Sequence, residues 1–181
     1  MTDEIISLFP YCELDGVRTL PDSFVENLYL RAEEEGLADM VFMDGSLNDS
    51  RRFLEDMKTR SHLFIILDGD EAAGFTWLNH FQQRTAYFHF CLFRDFWGAK
   101  VKGLEQASIK HLLHLKDDNG YLFDMLLGNV AKKNRAACRR AKQSCMTIMG
   151  ELPYGDFDAS TGESIPSILS YVTRESLEVA V

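Results

Sequence analysis

Ala86-Tyr-Phe-His-Phe-Cys-Leu-Phe-Arg-Asp-Phe-Trp-Gly-Ala-Lys100 and Tyr121-Leu-Phe-Asp-Met-Leu-Leu-Gly-Asn-Val-Ala-Lys-Lys-Asn134 are the two stretches that decide how this chain folds. The first is an apolar strand over Ala86–Phe93 that breaks at Arg94 and leads into an amphipathic helix. The second is an apolar strand over Tyr121–Leu127 that runs through Gly128-Asn129-Val130 into another helix at Asn134. A strand that passes directly to a helix N-terminus presents unpartnered backbone N–H groups and the positive end of a dipole. Both junctions are therefore candidate anion sites.

Helical signals come first on the N-terminal side. Pro21-Asp22-Ser23 predicts a helix start with Asp or Ser as the cap before Phe24–Glu35, and Gly36 ends it. Ser46 to Lys58 predicts a second helix with Leu47, Phe53, Leu54 and Met57 inward. His62–Leu67 and Ala72–Phe81 predict strands joined by the hairpin signal Asp68-Gly-Asp-Glu71, and Ala86–Phe93 is the third consecutive strand. The helix Lys100–Lys116 carries Val101, Leu104, Ser108, Leu112 and Leu115 on one stripe, which core packing explains. Asp117–Gly120 reads as a loop. A helix Asn134–Ser144, a strand Thr147–Leu152, a polar connector Ser160–Pro166 and a last strand Ser167–Arg174 complete the chain. An antiparallel first half thus gives way to crossovers, and the third strand is expected to pair in parallel with the strand after the long helix.

The 181 residues are expected to form one domain spanning 1–181, and 46% apolar residues with 13 Phe suffice for a substantial core. No apolar run reaches the ~18 residues of a membrane helix. The acidic start, Met1-Thr-Asp-Glu-Ile5, lacks the basic region of a signal peptide. Cys12, Cys91, Cys138 and Cys145 show no paired spacing and read as reduced thiols, so a cytoplasmic protein without a metal site is expected. A net charge of −9 argues against nucleic-acid and membrane partners. Yet the segment Arg94–Lys142 holds 11 Lys and Arg against 5 Asp and Glu. Two solvated helix faces account for this excess, and so does a site for a small polyanion such as a nucleotide-containing cofactor.

The helix from Asn134 sets Ala137, Cys138, Ala141, Ser144 and Cys145 on one side and Arg135, Arg139 and Lys142 on the other. Small inward residues fit close helix–sheet packing. They fit equally a face that leaves room for a slender ligand arm. Asn134 is also a good N-cap in its own right.

At these residues the chain resembles the GCN5-related N-acetyltransferase (GNAT) superfamily, closest in look to its ribosomal-protein N-terminal acetyltransferases. Phe93-Arg-Asp-Phe-Trp-Gly-Ala-Lys-Val101 is similar to the turn after the family's fourth strand. Leu127-Gly-Asn-Val-Ala-Lys-Lys-Asn-Arg-Ala-Ala137 is similar to its fifth strand and the Asn that opens the next helix. Met149-Gly-Glu-Leu-Pro153 resembles its sixth strand, and Ser170-Tyr-Val-Thr-Arg-Glu175 its last. The resemblance spans Asp22 to Arg174. It implies an α/β (α+β) fold with a mixed, mostly antiparallel six- to seven-stranded sheet flanked by helices, and a splayed parallel strand pair. It also implies acetyl-CoA as cofactor, with an amine-bearing acceptor.

By that resemblance, the backbone of Leu92, Phe93 and Arg94 would pair with the pantetheine arm. The turn from Trp97, with the amides of Gly98, Ala99, Lys100, Val101 and Lys102, would hold the pyrophosphate. Asn134 would bond the arm, with Asn129 and Ala137 beside it, and Lys100, Lys102 or Arg139 would meet phosphates. The chain also departs from the family. Gly98 falls one residue late relative to Arg94, and Lys100 stands where a second small residue is usual. Cys145-Met146 replaces the usual Gly-Phe, and Ala141 stands where many relatives carry a Tyr general acid.

Acetyl transfer to an amine needs a base for the ammonium, donors for the developing oxyanion and a proton for the leaving thiolate. Tyr87, His89, Cys91 and Phe93 share one strand face, and the imidazole of His89 is a candidate base as well as a plausible packed ring. Asp124 interrupts an apolar strand and is a second candidate. Ser144 or Cys145 could stand in for the missing Tyr. Two functions remain from this reading: an N-acetyltransferase, or a GNAT-like acyl-CoA-binding or interaction module with impaired catalysis. Family members often dimerise through edge strands, and Ser167–Arg174 is the candidate edge for a homodimer.

Overall fold

The computed structural model describes residues 6–179. The elements run β1 (Ile6–Tyr11), β2 (Glu13–Leu14), β3 (Val17–Arg18), α1 (Asp22–Glu34), α2 (Ala38–Val41), α3 (Ser50–Thr59), β4 (His62–Asp68), β5 (Glu71–Gln82) and β6 (Thr85–Leu92). A 3-10 turn follows at Arg94–Phe96, then α4 (Val101–Leu113), β7 (Lys116–Asp117), β8 (Gly120–Tyr121), β9 (Met125–Ala131), α5 (Arg135–Gln143), β10 (Thr147–Asp158), β11 (Glu163–Thr173) and α6 (Arg174–Val179). Seven strands form a mostly antiparallel sheet in the order β1-β4-β5-β6-β9-β11-β10. Its parallel pair is β6 with β9, joined through Thr85, Ala86 and Tyr87 to Met125, Leu126 and Leu127. That ladder stops at Tyr87, while β6 continues to Leu92 and β9 to Ala131. The expected fold class is therefore present.

The chain falls into two compact units. One takes the residues up to Asn79 together with His89–Ser108, and the other takes His80–Phe88 together with the chain from Ile109 onward. The first unit is built on aromatic packing. Phe53 is fully buried and meets Tyr29, Phe42 and Phe75 at ring-centroid distances of 5.7, 5.7 and 5.4 Å. α1 lays Val25, Leu28, Tyr29 and Ala32 inward, and α3 lays Phe53, Leu54 and Met57 inward, both at the helical spacing. Gly74 on β5 is obligatory, because a Cβ there would lie 2.1 Å from the Cys91 carbonyl oxygen. The register slips beside it, where Ile66 pairs Gly74 but Leu67 pairs Ala72, leaving Ala73 as a bulge. The second unit buries Ile109, Leu112, Leu113, Leu126 and Val172.

Several elements differ from expectation for identifiable reasons. β1 carries no clear alternation, and its Pro10 lacks an N–H. It is tolerated because β1 is a terminal strand paired only with β4. α1 is capped at Pro21 without a side-chain bond. Asp22 instead accepts the Tyr11 hydroxyl at 2.6 Å and the Lys58 ammonium at 2.5 Å. α3 begins at Ser50 rather than Ser46, because Asp49 accepts from the Arg52 amide and caps it there. The strand expected over Tyr121–Leu127 lies at Met125–Ala131. The guanidinium of Arg174 takes the Phe123 carbonyl, and Asp124 N–H bonds Arg84, which holds this stretch out of the ladder. Gly128 belongs inside β9, since a Cβ there would meet Ser170 Oγ at 2.8 Å and Met146 Cε at 3.0 Å.

The connector Ser160–Pro166 contracts to a turn held by Asp158. That residue's carbonyl accepts from Thr161 and Gly162, and its carboxylate accepts from Ser160. β11 consequently starts at Glu163 and sits inside the sheet between β9 and β10. The edge expected at Ser167–Arg174 is therefore β10 instead. β10 departs from regular register at Met149 and again between Leu152 and Asp156.

Candidate active site

In the first unit the chain leaves β6 through a turn fixed by side chains. Trp97 Nε1 donates to the Leu92 carbonyl at 2.9 Å. The Phe93 amide donates to Ala73 at 2.9 Å, and the Arg94 amide to Glu35 Oε2 at 2.6 Å. Phe96 and Trp97 amides close the 3-10 turn on Phe93 and Arg94. Gly98 then adopts φ +94°, with open space where a side chain would stand. The first ladder bond of α4 is Leu104 N–H to the Lys100 carbonyl, at 3.1 Å. The amides of Val101, Lys102 and Gly103 therefore precede the ladder and are left to a ligand or water. Lys102 is exposed beside them. Open amides, a positive-φ glycine with free space and an exposed ammonium suit a phosphate group.

Some partners expected for the cofactor are committed elsewhere. Arg94 donates through Nε to the Glu35 carbonyl at 2.6 Å, and its guanidinium lies 4.9 Å from the Trp97 ring. Its side chain acts as a pin for the turn. Lys100, which stands where a second small residue is usual, sends its ammonium to Asp68 at 2.8 Å. The Leu92 carbonyl and Arg94 amide are likewise satisfied internally.

His89, also in this unit, stacks on Trp77 at 4.6 Å with planes 10° apart, and its Nε2 lies 2.8 Å from Asn79 Oδ1. The amide oxygen only accepts, so an N–H at Nε2 would donate to it and leave Nδ1 as the basic nitrogen of the neutral ring. Its neighbour Cys91 is buried, and burial pushes the thiol up to about 12, which removes it as a nucleophile at neutral pH.

In the second unit Asn134 caps α5, its Oδ1 accepting from the Ala137 amide at 3.0 Å. The small face of α5 is present: Ala141 and Cys145 are buried, and Ala137, Cys138 and Ser144 are half-buried. Cys138 donates its thiol to the Ala131 carbonyl. Ser144 donates to the Ala141 carbonyl at 3.2 Å and accepts from the Met146 amide, a helix-end role. Asn129 donates through Nδ2 to the Gly155 carbonyl at 2.8 Å, and its buried Oδ1 has no partner. An open cleft of about 320 Å³ is lined by Lys132, Arg135, Cys138, Arg139, Lys142 and Ile168. Asp124 meets Arg84 at 2.6 Å and Arg174 at 2.5 Å. Those two guanidinium groups hold its carboxyl below the usual range, which weakens it as a base and fits an anchoring part. Among the described residues no cluster of His, Cys, Asp and Glu could hold a metal ion, and no helix is long and apolar enough to cross a membrane. All four cysteines are free thiols.

Glu35, Arg31 and Asn79 escaped the sequence. Glu35 sits in an acidic run that reads as a solvated helix end, and it meets Arg94 across 59 positions, which no local pattern encodes.

No family model matches the chain, and no curated protein matches it. Solved structures do. A spermidine N-acetyltransferase from Vibrio cholerae, in complex with CoA and spermine, aligns at TM-score 0.68 and 14% identity over 96% of this chain and 98% of its own. RimL, a ribosomal alpha-N-protein acetyltransferase in complex with coenzyme A, aligns at TM-score 0.65 and 15% identity, covering 87% and 92%. The microcin self-immunity acetyltransferase MccE, in complex with acetyl-CoA and AMP, aligns at TM-score 0.65 and 19% identity, covering 94% and 93%. The chain thus has the fold of the GNAT acetyltransferases.

Proposed function

We propose that this chain is a GNAT-type N-acetyltransferase that moves an acetyl group from acetyl-CoA to a primary amine, of a small molecule or a protein N-terminus, by direct attack in a ternary complex. The observation that carries this is the Gly98–Gly103 turn, whose leading amides stand open at the start of α4 on a GNAT fold. The structural neighbours that hold CoA or acetyl-CoA support the same cofactor.

In the first unit, Gly98, Ala99, Lys100, Val101 and Lys102 would hold the pyrophosphate through backbone N–H groups, with the Lys102 ammonium adding charge. In the second, the Asn134 amide would bond the pantetheine arm, Asn129 would offer its unpartnered oxygen, and Ala137 would leave room. Leu92 and Phe93 line the same segment, and Arg94 and Trp97 shape it. When bound, acetyl-CoA supplies the acetyl group as an activated thioester. The chain's own work is to orient it and to handle protons. His89, oriented by Asn79 and Trp77, is the base that takes the proton of the attacking amine. Ser144 is the nearest substitute in sequence for the absent Tyr, though its hydroxyl is engaged at the helix end. The net charge of −9 favours a cationic acceptor, and the free thiols suit a cytoplasmic setting. A homodimer formed through a strand edge would use β10.

Ala141, where a Tyr general acid is common, favours the second reading: a GNAT-like acyl-CoA-binding or interaction module with impaired catalysis. Calorimetry with acetyl-CoA, followed by thiol-release assays over a panel of amines, separates the two. Binding with release supports the enzyme, and binding without release across the panel favours the module. Absence of binding at millimolar cofactor refutes the acetyltransferase and leaves the interaction module.

A further inference from the structure

The turn that offers its amides to the cofactor is held chiefly by side chains. Its backbone contributes two 3-10 bonds, to Phe93 and Arg94, and then Gly98 at φ +94°, a region that glycine adopts without strain. Trp97 ties it to the Leu92 carbonyl and Lys100 ties it to Asp68, and its start is held by the C-terminal end of α1. Glu35 uses three oxygens there. Oε2 accepts the Arg94 amide at 2.6 Å, the main-chain carbonyl accepts Arg94 Nε at 2.6 Å, and Oε1 accepts Arg31 Nε at 2.8 Å. Arg31 extends the same grip. Its guanidinium lies 3.9 Å from the Phe93 ring centroid and donates to Asp95 at 3.3 Å. The side chain of Glu35 is only 17% exposed, so its charge-assisted bonds are formed largely out of water, whereas Asp95 is 83% exposed and adds little.

Charge explains why a carboxylate can stand so close to a phosphate cradle. Arg31 and Arg94 balance Glu35 and Asp95, so the cluster is neutral and does not repel an incoming polyanion. The Arg94 amide, which would otherwise compete for that anion, is satisfied by Glu35, and the amides beyond Gly98 are left to bind it.

We infer that Glu35, braced by Arg31, is a positioning residue that sets the direction of the Gly98–Gly103 amides for the phosphates of coenzyme A. It would touch no part of the cofactor. This inference rests on the acetyl-CoA reading above, and the experiment separates the two. The dissociation constants of CoA and of pantetheine, which lacks the phosphates, are measured for the wild type, Glu35→Ala, Glu35→Asp and Glu35→Gln, with near-ultraviolet circular dichroism confirming the native fold. Glu35→Asp is one methylene too short to reach the Arg94 amide, while Glu35→Gln keeps an acceptor there. Expected is a CoA constant raised about tenfold in Glu35→Ala and Glu35→Asp, the equivalent of one charge-assisted bond. Glu35→Gln stays within about threefold of wild type because the acceptor survives, and pantetheine is unaffected throughout. Unchanged CoA binding in Glu35→Asp overturns the inference while leaving the acetyl-CoA reading intact. Equal weakening of CoA and pantetheine also overturns it, since that is what general loosening of the fold would do. Failure of the wild type to bind CoA at all overturns both.

Discussion

Asn134 is asked to do two things at once, and two substitutions separate them. Its Oδ1 caps α5 through the Ala137 amide, while the carboxamide as a whole is assigned to the pantetheine arm. Asn134→Ala removes both functions. Loss of an N-cap costs about 1 kcal/mol. For a chain of this size that lowers the melting temperature by about 2–4 °C. Cationic Arg135 in the first turn already opposes the helix dipole, which leaves α5 more dependent on the cap. Asn134→Ser restores a side-chain oxygen of comparable capping strength but has no amide. Its stability is expected within about 0.5 kcal/mol of wild type. The cofactor contact behaves differently, because neither variant can donate an amide N–H. Both should weaken CoA by about tenfold, the cost of one hydrogen bond left unmade. Urea unfolding and isothermal titration with CoA give the two quantities. Wild-type CoA affinity in Asn134→Ser would show that Asn134 is a cap alone and that the second unit's part in cofactor binding is wrongly placed. Wild-type stability in Asn134→Ala would refute the capping argument.

Gly74→Ala places a methyl 2.1 Å from the Cys91 carbonyl oxygen, so main chain must move by about an ångström. About 3 kcal/mol of destabilisation is expected, and a shift of the urea midpoint worth under about 1 kcal/mol would refute the close approach. Acid should unfold the protein in part through Asp158, whose carboxyl is held at about 2 by Lys133 and Ser160. The depressed folded value means this contribution is complete above the unfolded carboxylate range near ~4 and is lost as the pH falls toward ~2. Asp158→Asn should therefore lower stability at neutral pH and flatten the acid limb, as melting curves taken at stepped pH would report. Thiol labelling of the native protein at neutral pH should modify half-exposed Cys12 well before Cys91, whose thiol is buried and held protonated. Equal labelling rates would contradict the packing around β6.

Local signals were legible wherever a residue's partner lay nearby. Asp68-Gly-Asp-Glu71 turns β4 into β5 as its dipeptide chemistry requires, and Gly69 takes φ +63° there. Asn134 caps α5 where expected, and the strand-to-turn-to-helix passage at Arg94–Val101 is where the apolar pattern breaks. What no local pattern encodes depends on distant partners. Arg94 reads in sequence as backbone for the pantetheine arm and Lys100 as a phosphate ligand, but Glu35 takes the Arg94 amide and Asp68 the Lys100 ammonium, across 59 and 32 positions. Asp124 looks like an isolated acid in an apolar strand, yet it closes an ion pair with Arg174 across 50 positions. The boundary errors have the same origin. Asp49 outcompetes Ser46 as a cap, and Arg174 keeps Phe123 out of β9.

β10 carries a hazard and its remedy together. As the terminal strand it shows Met149, Leu152, Tyr154 and Phe157 to solvent, Tyr154 at 80% exposure. A straight apolar strand of that length is a template for uncontrolled growth of the sheet and for aggregation. The two register breaks, with Pro153 in the second, interrupt its outer face so that no long uniform ladder is available to a stray chain. Selection on this segment would then act on solubility as much as on catalysis. A substitution that straightened β10 while keeping the Gly155 carbonyl on Asn129 would spare the proposed ligand contacts and still remove the protein from solution.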